Sequence, residues 1–134
     1  MHKLDLIVGD GSGDGHEKRE SISIECSLLP TKLEAAFKAG SRLVCGDDNL
    51  NGLCCDYEDR LISKDLVNKL SSFGINVEDY AYQNCDGEFE FEICDAENFV
   101  NLYMKVAEIG NKKLKWKFLP QGKRLCIGGY GLFY

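Results

Sequence analysis

Residues 88–118 read EFEFEICDAENFVNLYMKVAEIGNKKLKWKF, and the fold turns on how this stretch is parsed. Phe89, Phe91 and Ile93 alternate with Glu88, Glu90 and Glu92, the period of two that a half-buried strand requires. Then the period lengthens. Phe99, Leu102, Val106 and Ile109 fall on one stripe of a helix, with Asp95 placed to cap its start and Gly110 to end it. Alternation returns with Leu114, Trp116 and Phe118 on one face and Lys113, Lys115 and Lys117 on the other. Strand, helix, strand in this order predicts a right-handed crossover, with 88–94 and 113–118 as neighbours and the helix over their apolar face. Glutamates then face lysines across the sheet. Each such pair contributes about 0.2–1 kcal/mol, so the charges are read as setting strand order.

Working outward, Leu4, Leu6 and Val8 alternate along 3–9, and Ile22, Ile24, Cys26 and Leu28 along 21–28. These predict a hairpin whose long tip is the glycine- and aspartate-rich run from Gly9 to Glu17. Thr31-Lys32-Leu33-Glu34 has the form of a capping box, opening a helix that buries Leu33, Ala36 and Phe37 and stops at Gly40. Residues 41–45 are expected as a short strand. Ser63 is the expected N-cap of a second helix, with Asp65 in its first turn and Leu66, Val67, Leu70 and Phe73 on its buried stripe up to Gly74. Pro120-Gln121-Gly122 reads as a turn leading into a last hairpin over 123–128. The expected class is α+β: a single mixed sheet of about five strands with about three helices packed on one face, in one domain spanning 1–134.

The composition narrows the function classes. The chain has 134 residues, 22 acidic and 16 basic side chains, a net charge of −6 and only two prolines. No apolar run approaches the roughly 18 residues of a membrane helix, so no membrane association is expected. The acidic balance argues against direct nucleic-acid binding. The opening lacks a charged-then-apolar leader, and seven cysteines is an odd number, so reduced thiols and a cytoplasmic location are expected. Cys26, Cys94 and Cys126 sit in strand-like runs and read as small core residues. Vicinal Cys54 and Cys55 lack the spacing of a zinc site, and the nearby Asp56, Glu58 and Asp59 would not lower a thiol pKa.

Two acidic segments carry metal-ligand patterns. Residues 47–58 satisfy D-x-[DN]-x-[DN]-G-x₅-E, the spacing of an EF-hand calcium loop. Asp47, Asn49 and Asn51 supply side-chain oxygens at alternating positions, Gly52 permits the sharp turn, and Glu58 closes the site. The surroundings depart from that pattern, because Gly40 and Gly46 are expected to interrupt the incoming helix and Cys54 stands where an aliphatic residue is usual. The second segment is the hairpin tip, where Asp10, Asp14 and His16 could ligate a divalent ion. The plain alternative for the tip is a solvated turn. Calcium is therefore the only cofactor the sequence suggests.

No nucleophile elbow or Cys/His signature appears, so enzymatic activity is not expected. The tail Gly128-Gly129-Tyr130-Gly131-Leu132-Phe133-Tyr134 reads either as a last core strand or as an aromatic peptide. In the second reading Tyr130, Phe133 and Tyr134 bind a partner.

The segments Leu6–Lys18 and Cys55–Asp59 resemble small bacterial or phage-type proteins of uncharacterised function, and the resemblance implies no activity. The functional expectation is a small acidic cytoplasmic domain that binds a protein partner. In a phage setting such a domain would inhibit host machinery, or mimic a nucleic acid by presenting carboxylates where phosphates lie. The alternative is a calcium-binding protein using the 47–58 loop.

Overall fold

The long alternating runs near the N-terminus pair as expected. In the computed structural model, which describes residues 1–9, 19–46, 61–91, 96–119 and 130–133, β1 (His2–Gly9) and β2 (Arg19–Cys26) form an antiparallel hairpin. Its register sets Leu6 opposite Ile22 and Leu4 opposite Ile24, so these four share one face. All four of these side chains are buried, as is Cys26. The other face carries exposed Lys3, Asp5 and Ser21, and Ser23 donates its hydroxyl to Asp5.

α1 (Pro30–Cys45) departs from the expected boundaries at both ends. Leu29 is the N-cap and makes no side-chain capping bond, while Pro30 occupies the first turn. A proline there costs no hydrogen bond and presets φ, so Thr31 is not the cap. The helix also runs through Gly40 and consumes the expected strand at 41–45. It ends at Gly46, whose φ of 72° is left-handed and whose amide donates to the Arg42 carbonyl at 3.0 Å.

β3 (Leu61–Ile62) leads into α2 (Lys64–Ser72), where the Ser63 hydroxyl accepts from the Leu66 amide at 3.2 Å. That cap is where the sequence puts it. Leu66 and Leu70 are buried. Phe73 is not. The chain leaves the helix at Phe73 and turns at Gly74, φ 80°, which carries the ring off the stripe into solvent. A single 3-10 turn (Val77–Asp79) follows, then β4 (Tyr82–Gln83), a turn at Gly87, and β5 (Phe89–Glu90). Asn84 shapes that turn by accepting from the amides of Asp86 and Glu88, each at 3.0 Å.

α3 (Ala96–Gly110) buries Phe99, Leu102 and Val106 as the stripe predicts, and Val100, Tyr103, Met104 and Ala107 as well. A helix this widely buried has neighbours on more than one side. β6 (Trp116–Phe118) and β7 (Tyr130–Phe133) complete the described elements. Asp95, the Pro120 turn and the 123–128 hairpin lie outside the described residues.

The strands form two antiparallel sheets, ordered β6-β2-β1-β7 and β3-β5-β4, in place of one mixed sheet. Among the described residues, the predicted glutamate–lysine ladder between 88–94 and 113–118 does not form. β6 pairs with β2, which sets Lys117 opposite Glu25 and Trp116 opposite Cys26. Glu25 satisfies the same charge logic as the downstream glutamates, and the β1–β2 hairpin offers a longer template than the two-residue β5. α3 therefore links two sheets rather than crossing over within one.

The buried side chains of both sheets and all three helices belong to one cluster. An aromatic file runs through it. Phe91 meets Phe99 edge-on at 5.2 Å, Phe99 meets Tyr103 at 4.7 Å, and Tyr103 meets Phe37 at 6.1 Å. No helix among the described residues is long and apolar enough to cross a membrane.

Candidate functional site

α1 and α3 cross antiparallel at backbone contact. A Cβ on Gly40 would lie 1.9 Å from the Val106 carbonyl oxygen, and one on Gly110 would lie 2.1 Å from that of Ala36. Gly40 is thus a packing glycine and not a helix stop. Gly110 does end α3, yet its need for glycine is spatial too. Beside this crossing, α3 also borders an opening toward the segment that follows α2.

A groove of about 710 Å³ occupies that opening. α3 lines it with Lys105, Glu108 and Ile109, which share a helix face, and Lys112 follows in the turn after the helix. The segment after α2 contributes Phe73, Ile75, Asp79 and Tyr80 to the lining, and α1 contributes Leu43. Leu43 is 50% exposed and Phe73 42%, so two large apolar side chains stand in water beside one concavity. Polar groups rim it. Lys105 and Glu108 pair at 3.2 Å across one helical turn. Burial pushes the Tyr80 hydroxyl above the usual tyrosine range, nearby Lys105 opposes this, and Asp79 and Glu108 add to it. The site therefore offers an apolar floor, both signs of charge at its edge, and a phenol held in its neutral, donating form.

A second groove, about 530 Å³, lies between α2 and the β4–β5 turn, lined by Ile62, Val67, Asn68, Gly87 and Phe89 among others. Its large apolar residues are buried or half-buried, so it lacks the projecting groups that mark the first. Burial likewise raises the Cys26 thiol, which donates to the Leu28 carbonyl at 3.2 Å, consistent with its role in the core. Cys85 is exposed on the β4–β5 turn.

The residues singled out from sequence are placed unevenly. Asp10, Asp14 and His16 lie outside the described residues, between Gly9 and Arg19, which pair with each other. Asp47, Asn49, Asn51 and Glu58 also lie outside them, as do Cys54 and Cys55. Among the described residues, no group of three His, Cys, Asp or Glu side chains could hold a metal ion. Tyr130 and Phe133 belong to β7, which pairs with β1 so that Leu132 stands opposite Leu6; Tyr134 is outside. The tail is thus a strand of the larger sheet.

Leu43 and Phe73 were not legible as a site. Leu43 falls off the Leu33–Phe37–Val44 stripe only if α1 continues past Gly40. Phe73 fits the α2 stripe by spacing, and only the turn at Gly74 exposes it. Comparison with known proteins finds no matching family model, no matching curated protein and no matching solved structure.

Proposed function

We propose that the protein is a small acidic interaction domain that docks a protein partner through the groove bounded by Leu43, Phe73 and Tyr80. The observation that carries this reading is the exposure of Leu43 and Phe73 around one concavity. Fully burying a side chain of that size is worth roughly 1.5–3 kcal/mol, and folding leaves much of that unrealised at both. The matching partner surface presents an apolar side chain to the floor and polar groups to the rim. The exposed sheet face mixes Lys3 and Lys117 with Asp5 and Glu25, so it gives nucleic-acid mimicry no particular support.

The test is affinity capture from a lysate of the source cells, comparing the natural chain with the double variant Leu43→Asp/Phe73→Asp. The reading expects discrete proteins retained by the natural chain and lost from the variant. Identical capture by both would overturn it.

A second reading, calcium binding by Asp47, Asn49, Asn51 and Glu58, gains one specific support. α1 is unbroken through Gly40, so a helix lies close upstream of the loop, although the left-handed cap at Gly46 interrupts it before Asp47 as expected. Downstream the match is poorer, because β3 and the Ser63 cap intervene before α2 begins. Calorimetric titration with calcium decides it: stoichiometric heat abolished by Glu58→Gln supports the site, and no heat removes it.

A further inference from the structure

We infer that the outer face of the β3–β5–β4 sheet binds an arginine-bearing segment of a partner protein. This surface is separate from the groove bounded by Leu43, Phe73 and Tyr80, and the inference does not depend on that groove.

Register defines the face. Glu90 lies in the central strand and stands opposite Leu61 on one side and Tyr82 on the other. Cross-strand partners share a face, so Leu61, Glu90 and Tyr82 form one row. Ile62 and Phe89, one position along, belong to the opposite face, where Ile62 is buried in the core. In the outer row Leu61 is 37% exposed and Tyr82 41%, so two large side chains stand in water on either side of one carboxylate. That carboxylate is held in place. The Tyr82 hydroxyl donates to its Oε1, and the Asn84 side-chain amide donates to its Oε2 at 3.4 Å.

Charge selects the occupant. Between Lys69 and Lys105 the sequence holds eight acidic side chains and no basic one. The whole chain carries −6, so the residues outside this stretch are net positive and the negative charge is concentrated here. Glu78, Asp79, Asp86, Glu88 and Glu90 lie on the 3-10 turn and the β4–β5 hairpin. Among the described residues none of these five is in an ion pair. Lys64 lines the 530 Å³ groove together with Asp86 and Glu88 and pairs with neither. A basic partner relieves this uncompensated repulsion, and an acidic one adds to it.

The row narrows the choice to arginine. A carboxylate oxygen has two acceptor positions, so each Glu90 oxygen keeps one after the Tyr82 and Asn84 bonds. A guanidinium forks onto two carboxylate oxygens, stacks its plane on an aromatic ring and lays its alkyl stem on apolar surface. Glu90, Tyr82 and Leu61 offer these three contacts side by side. An ammonium is a compact, strongly hydrated point charge and makes less use of the same row.

Fluorescence anisotropy tests this with a labelled peptide of alternating arginine and alanine and a lysine counterpart of equal charge. Four chains are titrated: the natural one, Glu90→Gln, Leu61→Ser, and Glu34→Gln, which removes the same charge from α1. Circular dichroism confirms that each variant is folded. The natural chain is expected to bind the arginine peptide at least about fivefold more tightly than the lysine peptide. Glu90→Gln should weaken the arginine peptide at least about tenfold, Leu61→Ser about threefold, and Glu34→Gln less than about twofold. Leu61→Ser leaves the charge untouched, so its loss separates the row from attraction to net charge. Absence of binding, equal affinity for the two peptides, or equal losses in Glu90→Gln and Glu34→Gln overturns the inference. None of these results bears on the groove, which the capture experiment reads through Leu43 and Phe73.

Discussion

The α1–α3 crossing and the groove beside α2 share a helix and are packed in opposite ways. At the crossing, two glycines let backbones touch, and nothing larger than hydrogen fits at Gly40 or Gly110. A few residues along α3, Lys105, Glu108 and Ile109, with Lys112 just past the helix end, line a groove in which Phe73 and Leu43 are about half exposed. One face of α3 is thus committed to the fold and the other is available. The difference teaches where sequence changes should register. Substitutions at the crossing should cost stability. Substitutions at the groove should leave stability almost unchanged and alter association instead.

The largest effect is expected from Gly40→Ala, whose Cβ meets main chain that cannot rotate aside. Urea unfolding should show a loss of about 3 kcal/mol or more, with Gly110→Ala close behind. A loss under ~1 kcal/mol would mean that the helices separate easily, and the contrast would collapse. Next comes Ser63→Ala, which removes the hydroxyl that caps α2 and should cost about 1 kcal/mol in the same assay. It sharpens the comparison, because α2 carries Phe73 and a frayed helix would loosen the groove without touching the crossing.

Smaller still is the effect of Leu43→Ala or Phe73→Ala on stability, expected below about 1 kcal/mol because both residues are only about half covered. The same variants should lose the captured partner. A stability loss comparable to that of a core residue would show that the groove is part of the fold after all. The mildest effect concerns pH. The Tyr80 hydroxyl is raised in the folded chain, so the unfolded chain ionises first as pH climbs past about 10. The contribution of Tyr80 is therefore whole below that pH and lost as pH rises through the folded value. Tyr80→Phe should flatten this part of the stability profile, and an unchanged profile would place the phenol in an ordinary solvent environment.

Legibility of the fold followed the range of the interactions concerned. The β1–β2 hairpin and the α3 stripe were readable because periods of two and 3.6 are local, and Ser63 was readable because a cap and its amide are three residues apart. Gly40 was misread because a glycine that stops a helix and one that admits a neighbouring backbone look alike until Val106 is in place. The partner of β6 was misread because Glu25 and Glu88–Glu92 offer lysines the same complement, and the choice depends on which strand is long enough to template pairing. The groove was hidden for a related reason. Its walls come from three segments far apart in the chain, and its most exposed ring, Phe73, sits on a helical stripe by count and leaves it by one turn. The acidic loops are the reverse case, since their motifs are plain in sequence while Asp10–His16 and Asp47–Glu58 lie outside the described residues.

The most direct measurement is site-specific photo-crosslinking in the source cells, with p-benzoylphenylalanine placed either at Phe73 in the groove or at Lys117 on the exposed sheet face. The account predicts discrete higher-mass adducts from position 73 and none from position 117. No adduct from position 73, or the same adducts from both positions, would contradict it.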